Sequence, residues 1–238
     1  MASQFGILAK LNFLQDWLSI FIAKINPAII HNVSKYDAIK KVHYLSAIED
    51  VNGDYLEFGV YTGSSFCHSI RCCKNNQTLN PNVLNTKFYG FDSFSGFGKI
   101  ADEDIHPFYT DSNFDTSFDQ VNKRVRRVSG GFEVKLIQGF FSDTLINGAE
   151  SMGINKSRII FIDSDTYSSA NEALNFCIPT IQEGTFIILD DFFSFKGSLE
   201  KGVAKAFYQF LDKANAEVRE VFTYGMGGKV FVISKINI

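Results

Sequence analysis

The 238-residue chain is poor in cysteine, histidine, proline and tryptophan and carries no excess of positive charge. Its cysteines, Cys67, Cys72, Cys73 and Cys177, show no CxxC or Cys/His metal spacing, which excludes a disulfide framework and a thiolate zinc site. Adjacent Cys72 and Cys73 on a predicted helix read as buried or half-buried thiols, which suits a reducing cytoplasm. His31, His43, His68 and His106 are scattered without the i, i+4 pairing of a helical zinc site, and none has a partner assignable from sequence. A formal net charge of -3 gives no global basic field for nucleic acid. A membrane span needs about 20 predominantly apolar residues. The apolar stretch from Phe5 to Ile30 is broken by Lys10, Gln15, Asp16 and Lys24 and closed by Pro27. Stable membrane insertion is therefore not expected. A secretory leader is not expected either, because a basic n-region and a small-residue cleavage site are missing. Ser64 and Ser65 lie outside any G-x-S-x-G elbow, so no acyl-transfer nucleophile is apparent.

What is present is a globular composition, 45% hydrophobic and 21% charged, with 25 phenylalanines that read as core and groove packing. Leu11, Leu14, Leu18 and Ile22, flanked by Trp17 and Phe21, form a helical stripe. It predicts an amphipathic helix that packs on the domain or on a second subunit, which makes the N-terminal helices a route to a homo-oligomer. Attachment to a membrane surface is the lesser alternative, because the polar face is not strongly basic. A second helix is expected over Lys35 to Asp50 with Ser34 as its N-cap. Residues 1–50 thus form a helical extension and residues 51–238 the main domain.

From there the pattern changes to short apolar runs separated by helical stretches. Strands are expected at 55–60, 87–92, 133–137, 158–163 and 185–190, and helices at 64–73, 116–128, 168–177 and 198–214. Near-continuous apolar strands alternating with helices indicate a parallel sheet covered on both faces. Residues 217–223 and 229–234 are joined by Tyr224-Gly225-Met226-Gly227-Gly228, too short for a parallel crossover, and so form a hairpin. The expectation is an α/β, Rossmann-like, mostly parallel seven-stranded sheet with one antiparallel strand. Residues 93–116 form a long irregular segment, read as a lid or acceptor loop. The basic residues of the next helix, Lys123, Arg124, Arg126 and Arg127, read as a solvated face.

In such a sheet ligands bind beyond the carboxyl ends of the strands. The first strand runs into Glu57-Phe58-Gly59-Val60-Tyr61-Thr62-Gly63-Ser64-Ser65, an E-x-G-x-x-x-G pattern. An acid fills the first glycine position of a dinucleotide fingerprint, which repels a pyrophosphate and attracts a cationic amino-acid ligand. A plain strand-turn-helix has the same pattern. Asp92 ends the second strand, where a carboxylate either accepts from both ribose hydroxyls or makes an Asx turn into Ser93. After the third strand, Gly139, Phe140, Phe141 and Ser142 either pack against an adenine ring or simply pack.

Strand four delivers Asp163 and Asp165, and strand five delivers Asp190 and Asp191. Four carboxylates converging at neighbouring strand ends repel one another, and a divalent cation resolves the conflict. Oxygen-only ligands suit Mg²⁺, with Mn²⁺ or Ca²⁺ as alternatives. Helix caps and solvated strand ends are the other reading.

The blocks EFGVYTGSS, FYGFDSFSGF, QGFFSDTL, FIDSDTYSSANEALNFCIP and GTFIILDDF, in that order, resemble the macrocin O-methyltransferase family, class I enzymes that methylate sugar hydroxyls. The resemblance covers about Asp54 to Phe192. It implies S-adenosylmethionine as cofactor, held by Glu57, Gly59, Tyr61, Thr62, Gly63 and Ser64, with Asp92 and Ser93 at the ribose. Gly139, Phe140, Phe141 and Ser142 are implied at the adenine and Asp163 beside the cofactor. It puts Mg²⁺ or Mn²⁺ on Asp163, Asp190 and Asp191, and it makes Asp165 the general base. The implied acceptor is a sugar, glycan or glycosylated small molecule. Catechol-type enzymes use a lysine just after the strand-four aspartate, where this chain has Ser164-Asp165-Thr166, so a catechol-like acceptor is the alternative. A non-catalytic module that keeps the fold is the third reading.

Overall fold

A computed structural model describes residues 11–109 and 114–237. The elements run α1 (Asn12–Lys24), α2 (Pro27–Ile48), β1 (Asp54–Phe58), α3 (Ser64–Asn75), β2 (Phe88–Asp92), α4 (Phe118–Arg126) and β3 (Val134–Gln138). They continue with the single turn α5 (Phe141–Thr144), β4 (Ser157–Ile162), α6 (Tyr167–Cys177), β5 (Phe186–Leu189), α7 (Gly202–Ala214), β6 (Ala216–Tyr224) and β7 (Gly228–Ile236). Each expected strand starts within two residues of its predicted start, and for β1, β2, β4 and β5 the reason is that apolar runs buried on both faces are unambiguous in sequence.

The strands form one seven-stranded sheet in the order β3-β2-β1-β4-β5-β7-β6. The chain begins in the middle and reverses between β1 and β4, and that reversal opens a crevice at the carboxyl ends. β7 pairs antiparallel with both β5 and β6. The antiparallel strand is thus inserted one place inside the edge, and β6, which closes the sheet, runs with the rest. Two apolar layers flank the sheet. One joins Phe58, Phe91, Ile160 and Leu189 to α6 and α7 through Leu174 and Phe207. The other joins Tyr55, Phe88, Phe161 and Ile188 to α2 and α3 through Ile39, Val42 and Phe66.

The start of α2 differs from expectation, and the structure narrows the expectation for α1. α2 starts eight residues before Lys35: Asn26 accepts the Ala28 amide at 2.9 Å through its side chain, and Pro27 occupies the first turn. Proline there begins a helix, since its missing N–H has no intrahelical partner to lose. Ser34 therefore lies inside the helix and caps nothing. The stripe on α1 does not pack on the domain: none of its residues is buried, and Phe13, Trp17, Leu18 and Phe21 are exposed. The part of the apolar run before Leu11 lies outside the described residues. No single helix among the described residues is long and apolar enough to cross a membrane.

Candidate active site

The carboxyl ends of β1, β2, β4 and β5 open into a cavity of about 430 Å³. Its wall includes Gly59, Tyr61, Thr62, Ser64, Asp92, Ser93, Gly139, Phe140, Phe141, Asp163, Asp165, Asp190 and Asp191 among the residues expected there. Glycine is required where β1 leaves the sheet. Gly59 has φ +95°, and a Cβ there would come 1.9 Å from the Asp163 carbonyl oxygen. The two strand ends therefore touch backbone to backbone, which brings the loop after β1 beside the aspartates after β4. Gly63 ends the loop with φ +75° as the N-cap of α3. Arg124 on α4 donates to the Thr62 carbonyl at 2.8 Å, so this basic side chain tethers the loop as well as facing solvent.

Three expected residues stand behind or beside the cavity wall. Glu57 is fully buried under the loop, where its carboxylate accepts from Ser65 Oγ at 2.6 Å and from the Tyr55 hydroxyl. Burial pushes its pKa up to about 7 against those hydrogen bonds. Gly63 contributes backbone geometry, and Ser142 lies on the outward side of α5, exposed. Asp92 accepts the Val60 and Tyr61 amides at 2.7 Å on Oδ2 and the Phe94 amide at 2.6 Å on Oδ1. The last of these is the Asx turn, and the first two hold Tyr61 in its left-handed conformation. Asp92 still lines the cavity with one lone pair of Oδ1 unused.

One oxygen from each of Asp163, Asp190 and Asp191 lies within 4.8 Å of the others. The chemistry of the donor set, three hard carboxylates, fits a divalent cation such as Mg²⁺ or Mn²⁺. Lys35 of α2 already brings positive charge there: Nζ is 2.8 Å from Asp163 Oδ2 and 2.7 Å from Asp190 Oδ2. His31, one turn earlier, donates from Nε2 to Asp190 Oδ2 at 3.1 Å. The Met226 amide donates to His31 Nδ1 at 3.2 Å, which fixes the tautomer with the proton on Nε2. The Tyr224 hydroxyl donates to Asp190 Oδ1 at 2.7 Å. Against the burial that raises it, the Asp190 carboxyl is held well below its usual range by Lys35 and His31. Burial and the neighbouring Asp190 push Asp163 up.

Asp165 has φ +62° and turns toward Asp191, with which it shares a hydrogen bond. Burial and the Asp191 charge push Asp165 well up, and burial and the Asp190 charge push Asp191 up, so this pair favours holding a proton. Tyr109 reaches the same pair from the 93–116 segment, donating to Asp191 Oδ1 at 3.3 Å and lying 2.9 Å from Ser194 Oγ. That segment is also pinned by Asp104, which accepts the Tyr167 amide at the start of α6 at 2.7 Å. Its residues 110–113 lie outside the described residues.

Residue patterns alone left out His31, Lys35, Tyr109, Ser194 and Tyr224. The available signal was Asn26-Pro27, a cap followed by a first-turn proline, which places His31 and Lys35 at i, i+4 on one helix face.

The sequence pattern of the macrocin O-methyltransferases (TylF) matches residues 24–224. The chain belongs to that family. Among curated family relatives, the mycinamicin III 3''-O-methyltransferase of Micromonospora griseorubida is 26% identical over 178 residues, 70% of this chain and 66% of the relative. A tetracenomycin rhamnosyl 4'-O-methyltransferase of Streptomyces olivaceus is 25% identical over 179 residues, 70% of this chain and 64% of the relative. The chain thus matches just under two thirds of the length of either protein. In fold it is similar to an O-methyltransferase from Bacillus cereus solved in complex with SAH, with a TM-score of 0.55 at 17% identity, covering 93% of this chain and 90% of that one.

Proposed function

We propose that this chain transfers a methyl group from S-adenosylmethionine to a hydroxyl of a sugar-bearing small molecule. A divalent cation on Asp163, Asp190 and Asp191 and Asp165 as the base complete the reading. The supporting observation is that one cavity joins the glycine turn after β1, the carboxylate of Asp92 and four aspartates from two neighbouring strands. The family relatives named above act on glycosylated natural products by their names, which favours a sugar hydroxyl.

The cofactor supplies a sulfonium methyl: the acceptor oxygen bonds the methyl carbon as the carbon–sulfur bond breaks, and sulfur keeps the electron pair as a neutral thioether. A cation held by Asp163, Asp190 and Asp191 would supply positive charge that lowers the pKa of a nearby acceptor hydroxyl. The rest is positioning by the chain. The Gly59–Ser65 loop and Asp92 hold the nucleoside side of the cavity, and Phe140 and Phe141 offer apolar surface beside it. Asp165, held off the strand axis by its left-handed backbone, takes the hydroxyl proton once the proton it shares with Asp191 has left. Lys35 is no candidate base, because Asp163 and Asp190 hold it protonated against its burial. Ser164-Asp165-Thr166, with no lysine just after the strand-four aspartate, speaks against the catechol-type arrangement. Tyr61, Phe97, Phe108 and Phe114 line the cavity toward the lid, a surface suited to the apolar face of a deoxysugar.

The test is transfer of label from methyl-labelled S-adenosylmethionine to deoxysugar glycosides and to catechols, each with Mg²⁺ and with exhaustive chelation. Labelled glycoside in the presence of Mg²⁺ alone supports the reading. Label on catechols only, or undiminished turnover after chelation, overturns the acceptor class or the metal role respectively. Absence of S-adenosylmethionine binding by calorimetry would make the chain a non-catalytic module.

A further inference from the structure

Lys35 is a buried lysine, 9% exposed, whose ammonium contacts two of the three carboxylates that fit a divalent cation. On Asp190 Oδ2 it shares the oxygen with His31 Nε2, so both lone pairs of that atom are engaged. A cation bound to Asp163 and Asp190 would share both of those groups with Nζ. Two positive charges on the same pair of buried carboxylates repel strongly where water cannot screen them. One of them has to leave.

The part of α2 that carries Lys35 is built to move. Ile29, Ile30 and Val33 are exposed, and the buried apolar packing of the helix begins only at Ala38. Before that point the helix meets the domain mainly through polar contacts: His31 and Lys35 on Asp190 and Asp163, the Met226 amide on His31 and His68 on the Tyr36 carbonyl, with ring contacts of Tyr36 to His68 and of His31 to Tyr224 beside them. A segment tied down by polar contacts and little apolar burial opens at low cost. It also forms a wall of the cavity, through Ala28, His31, Asn32 and Lys35.

We propose that Lys35 is an exchangeable internal counter-ion, which bridges Asp163 and Asp190 when no divalent cation does and withdraws when one binds, carrying the first turns of α2 with it. Metal loading and the shape of the acceptor-side wall are then one coupled equilibrium. The proposal rests on the metal reading given above. It differs from that reading in assigning the chain its own competitor for the metal.

Mn²⁺ alone, titrated into the full chain with free Mn²⁺ followed by electron paramagnetic resonance, tests it. Lys35→Met, which keeps the length and removes the charge, should bind Mn²⁺ about tenfold or more tightly than the unaltered chain, as expected for a lost like charge in a buried site. Lys35→Arg, which keeps the charge, should stay near the unaltered chain. Saturating Mn²⁺ should also speed amide exchange over residues 27–37 of the unaltered chain and leave residues 38–48 unchanged. That measurement needs no variant and decides the matter if Lys35→Met does not fold. Measurable Mn²⁺ binding that is equal or weaker in Lys35→Met, or exchange over 27–37 that Mn²⁺ does not alter, overturns the exchange of counter-ions and leaves the metal site standing. No Mn²⁺ binding by any variant, with S-adenosylmethionine still bound, removes the metal site and this proposal with it.

Discussion

Asp163 and Asp190 face an ammonium, an imidazole and a phenol, supplied by α2 and the last turn of the sheet. Asp165 and Asp191, at the ends of the same two strands, face a phenol, a serine hydroxyl and each other. The first pair is compensated by charge. The second has no cation on it, and burial pushes both of its carboxyls toward the protonated form. A carboxylate locked to an ammonium is a poor base, and one that keeps its charge only by giving up a shared proton is a better one. The difference teaches that four aspartates with similar sequence contexts divide into a charge-compensated half and, on the proposed function, a reactive half, and that the division is made largely by residues far away in sequence.

The comparison breaks most visibly through activity. Asp165→Asn keeps the shape and removes the proton acceptor, so kcat should fall by about 10²–10⁴-fold, the usual worth of a positioned base. Calorimetric binding of S-adenosylmethionine should be unchanged. A variant that turns over normally would move the base elsewhere and erase the distinction between the halves.

The next largest effect is on stability and falls on the other half. Lys35→Met leaves Asp163 and Asp190 buried without their cation, a change that costs roughly 3–5 kcal/mol in buried pairs. Urea unfolding in chelator should show that loss, and Mg²⁺ should restore much of it by binding the folded state. A loss below about 1 kcal/mol, the level of an exposed pair, would mean that Lys35 is not a structural counter-ion.

Asp165→Asn should do the reverse. Asp165 has a pKa raised by burial and by Asp191, so the folded state holds its proton more tightly than the unfolded one does. Stability from this group is therefore fully present below the unfolded carboxylate pKa, about 3.9, and is lost as pH rises through the folded value. The amide has no proton to lose, so the variant should match the parent in acid and gain on it as pH rises. The gain should reach about 1 kcal/mol or more by pH 8, the order of one relieved buried polar conflict. Thermal unfolding at pH 5 and pH 8 checks the sign. A constant difference between the two would show that the Asp165–Asp191 proton is not there.

How much of this was readable in the sequence follows the same line. The strands and the convergence of the four aspartates were legible, because β4 and β5 are buried apolar runs that end abruptly in acid. The compensation was not. His31 and Lys35 lie more than a hundred residues before their partners, and α2 was expected to start at Lys35 because Pro27 was read as a stop when it is a start. Tyr224 ends β6 beside a hairpin turn whose glycines announced the turn but not the target of the tyrosine. Gly225, with φ +55°, has no room for a side chain because a Cβ would come 2.3 Å from His31 Nδ1. Period and propensity report on a segment's own shape, whereas pairing across the sheet depends on where the fold brings it.

The smallest effect tests the reach of the 93–116 segment, the proposed lid, into the reactive half. Tyr109 is 5% exposed, stacks on His106 with ring centroids 4.4 Å apart, and places its hydroxyl on Asp191 and Ser194. Tyr109→Phe keeps the stack and removes the hydroxyl. Because Ser194 Oγ still donates to Asp191 Oδ1 at 3.2 Å, the carboxylate is not left bare. The cost should be that of one hydrogen bond, about 0.5–1.5 kcal/mol, which is a change of about two- to twelvefold. On the proposed function Tyr109 holds the 93–116 segment rather than the reacting atoms, so the change should appear in KM for the acceptor and leave kcat nearly as it was. A fall in kcat with KM unchanged would instead put the phenol among the groups that act on the transferred proton, and the reactive half would then include the lid.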